Sequence, residues 1–214
     1  MKSFNIPIPT LRRLPIYYQH LLLAEQQEKT FISSFDLGNA TGSASEQVRK
    51  DLSFIAGQGK THVGYDVKKL IVIIESYLGL MNNKDAVIVG AGNLGHALAL
   101  YPGFAQYGLK ILALFDIDSK KFGEKVGNLE ILPLSELAAF IKNQGLLIGI
   151  LTTPPVAAPQ VTEIMVASGI KAIWNFSTAL LTVPEEVLVR NVDLSLELAV
   201  ISHFINSLSI SKNN

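Results

Sequence analysis

The sequence predicts an α/β protein: an N-terminal winged helix-turn-helix domain over residues 1–80, a Rossmann-like parallel-sheet domain over 84–193, and a C-terminal helix and tail over 194–214. Three observations carry this. Val87-Ile88-Val89-Gly90-Ala91-Gly92-Asn93-Leu94-Gly95-His96-Ala97-Leu98 runs a β-branched stretch into a Gly-x-Gly-x-x-Gly turn and leaves it through a helix of small residues. Apolar strand-like and helix-like segments then alternate almost to the end of the chain, the pattern of a parallel sheet covered on both faces. Ahead of the glycine motif, two short helical segments flank Gly42, each opened by a cap-forming serine.

Residues 1–9 read as an irregular arm, and a helix is expected from Thr10 to Leu23, with Pro15 restarting or kinking it. Leu14, Tyr17, Tyr18, Leu21 and Leu22 have the three-to-four spacing of a buried stripe. Ser33-Ser34-Phe35-Asp36 starts the first short helix, and Ser43-Ala44-Ser45-Glu46 reads as a capping box opening the second, which runs to about Phe54. There Val48, Leu52 and Ile55 share one face, while Gln47, Arg49 and Lys50 fall elsewhere, placed for base edges and phosphates. The glycine-rich stretch from Ala56 to Tyr65 has a basic tip and reads as a β-hairpin wing, and Asp66 to Gly79 as an amphipathic helix with Val67, Leu70, Ile71, Ile74 and Leu78 inward. The spacing alone also permits a helical cap whose charges only solvate it.

In the second half, strands are expected at 86–90, 110–116, 129–132, 146–152, 170–175 and 187–190, with helices near 93–100, 134–143, 156–168 and 194–208. In the glycine motif, Gly90 permits the tight turn, Gly92 lets the backbone approach a pyrophosphate, and Gly95 lets helix and strand pack closely. Ala91, Asn93 and Leu94 complete the cradle. Asp116, about twenty residues further on at the end of an apolar run, stands where a carboxylate binds the adenosine ribose. It would favour NAD(H) over NADP(H) by accepting from the 2′-hydroxyl and repelling a 2′-phosphate. Lys120 and Lys121 lie close by. A tight strand–helix turn without a ligand would show the same triplet.

Composition narrows the classes. The 214 residues contain no cysteine, which excludes a disulfide framework, a cysteine zinc site and a thiol nucleophile. No apolar run reaches the ~18 residues of a membrane span, and Pro7 and Pro9 occupy the place of a signal-peptide core, so a cytoplasmic protein is expected. Eighteen Lys and Arg balance eighteen Asp and Glu, so DNA binding has to come from local clustering. The helix 194–208 is apolar on more than one side, which calls for burial against a second copy or under its own sheet.

No catalytic group stands out. The loop Thr152-Thr153-Pro154-Pro155-Val156, on the ligand edge of the sheet, offers hydroxyls and prolines in place of an acid or base. His20, His62, His96 and His203 are not spaced as metal ligands, and Tyr65-Asp66-Val67-Lys68-Lys69 lies outside the dinucleotide domain. Tyr101 and Phe104, flanking Pro102-Gly103, could wall a nicotinamide pocket or pack in the core. The site is expected to bind NAD(H) without catalysis and without a metal.

Arg13-Leu14-Pro15-x-Tyr17-Tyr18, Gln47-Val48-Arg49-Lys50-Asp51-Leu52-Ser53, Val63-Gly64-Tyr65-x-Val67, the glycine motif, Tyr101-Pro102-Gly103-Phe104 and Asn191-Val192-Asp193-Leu194 together resemble the redox-sensing transcriptional repressor family Rex, in order over nearly the whole chain. The resemblance implies a homodimeric repressor that binds double-stranded operator DNA at an inverted repeat, is released by NADH, and exchanges its last helix between subunits (a domain swap). On this reading Arg12, Ser45, Gln47, Arg49, Lys50, Lys60 and His62 contact DNA. Gly90 to Gly95, Tyr101, Phe104, Asp116, Thr153 and Pro154 hold the cofactor, and Arg13 and Asp193 form a switch pair. The neutral nicotinamide of NADH would enter a dry pocket that the charged NAD⁺ ring resists. The competing class is an NAD-dependent oxidoreductase, or a CoA-type nucleotide binder, with an N-terminal helical cap.

Overall fold

The computed structural model describes residues 6–57, 59, 63–82 and 84–211. The chain divides into two compact units, Met1–Asn82 and Asn83–Asn214. The first opens with α1, Ile8–Gln26, which begins directly after Pro7, earlier than the sequence suggested. Pro9 sits in its first turn, where a missing N–H costs nothing. Pro15 lies inside the helix, which continues through it without restarting. Thr10, Leu14, Tyr17, Tyr18, Leu21 and Ala24 form its buried stripe.

β1 (Phe31–Ile32) leads into α2 (Ser34–Thr41), where the Ser33 hydroxyl accepts from the Asp36 N–H at 3.0 Å. α3 follows at Ser45–Ser53. The expected capping box at Ser43 does not form: the helix starts one residue later, so the cap position falls on Ala44, whose methyl cannot accept a hydrogen bond. The Ser43 N–H instead donates to the Gly38 carbonyl at 2.9 Å and closes the turn between α2 and α3. β2 (Tyr65–Asp66) pairs antiparallel with β1, so the chain after α3 returns to the strand that precedes α2. Of the expected hairpin wing, Gln58 and residues 60–62, including Lys60 and His62 at its tip, lie outside the described residues. α4 (Val67–Leu78) is capped by Asp66, which accepts from the Lys69 N–H at 3.0 Å. Its Val67, Leu70, Ile71 and Ile74 close one core with Leu14, Leu21, Leu37, Val48 and Leu52.

The second unit is built on a seven-stranded sheet of β3 (Lys84–Val89), β4 (Leu109–Asp116), β5 (Lys125–Val126), β6 (Leu129–Pro133), β7 (Ile148–Leu151), β8 (Ala172–Asn175) and β9 (Leu188–Asn191). Its spatial order is β5-β6-β4-β3-β7-β8-β9, parallel except for β5, the edge strand. Without β5 this is the doubly wound dinucleotide-binding order, which reverses direction between β3 and β7. Alternation along β3 separates two cores. Val87 and Val89 face the layer holding α6 (Leu137–Gln144) and α7 (Ala158–Ala167), while Ala86 and Ile88 face the layer holding Phe104 and Ala91. α5 (Asn93–Ala99) follows the glycine turn, and α8 (Leu194–Ser211) ends the described chain. On α8, Leu194, Leu196, Leu198 and Ile201 are each more than half exposed. No helix among the described residues is long and apolar enough to cross a membrane.

Candidate DNA-reading helix and dinucleotide site

α3 buries Val48, Asp51 and Leu52 and exposes Glu46, Arg49 and Lys50, with Ser45 and Gln47 at the margin. The buried acid is the organising residue of this unit. Asp51 is 0% exposed and accepts from Thr10 Oγ1 (2.9 Å), Arg13 Nε (2.6 Å), Arg13 Nη2 (2.7 Å), Tyr17 Oη (2.8 Å) and Gln47 Nε2 (2.9 Å). A carboxylate has about four lone-pair sites, so this set saturates it. Three of those residues come from α1, and Asp51 thereby fastens α3 to α1. Arg49 donates to Ser34 Oγ at 3.0 Å and to Glu46 Oε1 at 3.3 Å, and both contacts are exposed. Arg12 is exposed on α1. Arg13, assigned to a switch pair, is held by Asp51 within its own unit. Asp193 accepts from the Ser195 N–H at 2.9 Å at the start of α8, and hydrogen bonds from the Ser195 hydroxyl and N–H hold its carboxyl below the ordinary range.

Burial pushes the Asp51 carboxyl up, but the hydrogen bonds from Arg13, Tyr17, Thr10 and Gln47 outweigh it and hold the group below its ordinary 3.8. Burial and the bond to Asp51 push Tyr17 up to about 12. With Asp51 depressed, the unfolded chain binds more protons than the folded one as pH falls through the acid range. The stability Asp51 contributes is therefore complete above pH ~4 and drains away as pH drops toward its folded value. An acid titration followed by circular dichroism should show this loss in the wild type and a flatter profile in Asp51→Asn; parallel profiles would refute the assignment.

In the second unit, Gly90 stands at the crossing between β3 and β7 with φ of 108°, and a Cβ there would lie 2.7 Å from the Thr152 carbonyl carbon. The Thr152 hydroxyl donates to the Gly90 carbonyl at 2.7 Å and locks the two strand ends together. A Cβ on Gly95 would collide with the Gly90 carbonyl oxygen, whereas a Cβ on Gly92 would meet nothing within 4 Å. Gly90 and Gly95 are thus demanded by packing, while Gly92 borders open space, the cradle a pyrophosphate needs. Asn93 and Leu94 begin α5 and Ala91 is buried. The Ala91 N–H donates to Asp116 Oδ2 at 2.8 Å, Lys121 Nζ pairs with the same oxygen at 2.9 Å, and the Asp118 N–H donates to Oδ1 at 2.9 Å. Burial pushes the Asp116 carboxyl up, and the bonds from Asp118, Lys121 and Ala91 more than offset it, keeping it below its ordinary value. Asp116 therefore ties the glycine turn to the end of β4 and remains ionised.

Phe104 is buried and Tyr101 exposed, their rings meeting edge to face at 5.2 Å. The stack continues to Trp174 at 5.5 Å and from Trp174 to Phe176 at 5.0 Å. Sequence reasoning missed Trp174 and Phe176, and also Asp51, for which a signal existed: an acid between Val48 and Leu52 on a buried arc requires a partner. Thr153 and Pro154 lie in the loop after β7. Thr153 Oγ1 and His96 Nε2 are buried without a hydrogen-bond partner, so this region has donors or acceptors left for a bound molecule. Among the described residues no group of three His, Cys, Asp or Glu could hold a metal.

Two family models match the chain, "Putative DNA-binding protein N-terminus" over residues 5–53 and "CoA binding domain" over residues 81–179. A DNA-binding unit joined to a dinucleotide-type Rossmann unit defines the class of ligand-responsive DNA-binding regulators. The redox-sensing transcriptional repressor Rex of Desulforamulus reducens is 41% identical over 202 residues, 94% of this chain and 96% of that protein. The Rex-family repressor RSP has been solved with NAD⁺ and operator DNA (35% identity, TM-score 0.90, 97% and 96% covered) and with NADH (33% identity, TM-score 0.86, 98% of each covered). The chain belongs to the Rex family of redox-sensing transcriptional repressors.

Proposed function

We propose that this protein is a cytoplasmic NADH/NAD⁺-sensing transcriptional repressor that binds operator DNA as a homodimer and lets go when NADH binds. The observation that carries the reading is one chain, matching redox-sensing repressors end to end, with Arg49 and Lys50 exposed on α3 and a Gly90–Gly95 cradle joined to Asp116. Arg49, Lys50, Ser45, Gln47 and Arg12 would meet DNA together with Lys60 and His62, and an inverted repeat matches a two-fold dimer. The exposed leucines of α8 supply an apolar face for the second copy, including an exchange of this helix. Gly90 to Gly95 would hold the pyrophosphate, Asp116 the ribose, and Thr153, Pro154, Tyr101 and Phe104 the nicotinamide end. When bound, NAD(H) supplies the redox signal, and the protein needs only to favour one arrangement with it.

A ligand releases DNA only if it binds the DNA-incompetent arrangement more tightly, each tenfold difference corresponding to about 1.4 kcal/mol. In the switch we assign to Arg13 and Asp193, each keeps its local partner, Asp51 or Ser195, in one state, and the two pair directly or across the dimer in the other. The test is a mobility-shift titration with operator DNA. NADH should release the complex at a concentration at least tenfold below NADPH and NAD⁺. Arg13→Gln and Asp193→Asn should each weaken NADH sensitivity, and the double variant should be no more affected than either single one; additive effects would remove the pair from the switch. The matched CoA-type model favours a second reading, so coenzyme A is the control ligand. Release by coenzyme A alone, or equal potency of NADPH and NADH, would refute the assignment.

A further inference from the structure

Gln47 is half-buried on α3, one turn from the fully buried Asp51, and its Nε2 lies 2.9 Å from Asp51 Oδ1. An ionised carboxylate only accepts hydrogen bonds, so the chemistry dictates which end of the Gln47 amide faces it: the NH₂. The anchor is itself fixed, because Asp51 is held from α1 by Thr10, Arg13 and Tyr17. One amide hydrogen is consumed. The carbonyl Oε1 and the second hydrogen remain, and they lie side by side in the plane of the amide when the hydrogen given to Asp51 is the one trans to Oε1. That pair is the fork with which a glutamine reads adenine, donating to N7 and accepting from N6. A free glutamine would present this fork or its mirror image and would lose rotamer freedom on binding; a tethered one has done so already.

We propose that Asp51 is a positioning residue for base reading: its buried carboxylate fixes the Gln47 amide so that α3 presents an oriented donor–acceptor fork to an adenine edge. The inference rests on α3 being the DNA-reading helix. It assigns Asp51 a role in specificity that fastening α3 to α1 does not entail.

The test is competition of operator variants, each with one base pair changed, against wild type, Asp51→Asn, Gln47→Met and the double variant, with salt dependence measured for each. Asparagine at 51 offers its own NH₂, so the Gln47 amide is free to turn its carbonyl toward it. Discrimination at one A·T position should fall about tenfold or more in Asp51→Asn and in Gln47→Met. The double variant should match Gln47→Met, and the salt slope should stay constant because phosphate contacts are untouched. Full retention of that discrimination in folded Asp51→Asn would overturn the proposal, as would a uniform loss across all positions or additivity in the double variant. If Gln47→Met, Arg49→Ala and Lys50→Ala all bind operator like wild type, the reading of α3 itself fails. Should Asp51→Asn not fold, the wild-type Gln47 side-chain amide decides the matter by NMR. One side-chain hydrogen protected from solvent exchange relative to its geminal partner supports the tether; two hydrogens that exchange as fast as those of a solvated glutamine overturn it.

Discussion

An alanine at Gly92 is expected to lower NADH affinity about a hundredfold while moving the melting temperature of the sheet domain by no more than ~2 °C. The backbone there has φ of −90° and ψ of −171°, which alanine adopts without strain, and its Cβ would meet no protein atom within 4 Å. Only an approaching ligand would meet the new methyl. Holding a pyrophosphate away from the turn forfeits about two hydrogen bonds to a charged group, each worth ~1.5–3 kcal/mol. A hundredfold loss corresponds to ~2.8 kcal/mol, at the low end of that sum. Gly95→Ala makes the contrasting control. Its methyl would press on the Gly90 carbonyl oxygen, a backbone atom that cannot swing aside. It should therefore destabilise the domain by ~1–3 kcal/mol as well as abolish binding. Calorimetry with NADH and thermal unfolding of both variants check this; unchanged affinity in Gly92→Ala would remove the cradle.

Replacing Asp51 with alanine is expected to cost the N-terminal unit roughly 3 kcal/mol, the low end of what breaking one side of a buried ion pair costs. The low end applies because the Arg13 side chain is 26% exposed and regains some water, whereas the Tyr17 hydroxyl, in a fully buried residue, does not. Denaturant unfolding monitored by circular dichroism should show the transition of the N-terminal unit moving to lower denaturant and that of the sheet domain unchanged. A loss under ~1 kcal/mol would mean that solvent replaces the carboxylate at little cost.

Much of this architecture was legible in the sequence because it leaves local signals. The strand before Gly90, the carboxylate at Asp116 and the two short helices around Gly42 each combine periodicity with a turn or cap residue, and the structure has them in place. β1 and β2 left no such signal: two-residue strands have no period, and their pairing joins segments more than thirty residues apart. α3 starts one residue past the Ser43 box because the Ser43 N–H is taken by the turn, which leaves the cap position to Ala44. At the candidate sites, glycines could be read because their roles are steric. The Asp51 cluster could not be assembled, since Thr10, Arg13 and Tyr17 lie 34 to 41 residues away and only tertiary packing gathers them. Gln47 was read as a free polar group when its amide is already engaged.

Trp174 is the single indole of the chain, and it lies in β8 between the rings of Phe104 and Phe176. Tryptophan emission is therefore a one-domain signal. It senses the packing of the sheet domain beside the Tyr101–Phe104 pair, whereas residues 1–82 contain tyrosines and phenylalanines and no tryptophan. An unfolding curve followed by indole fluorescence would describe half of the molecule, and its mismatch with an ellipticity curve would measure how independently the two halves melt. The same placement makes the indole an internal optical donor for a reduced nicotinamide bound in its own domain, with no label attached.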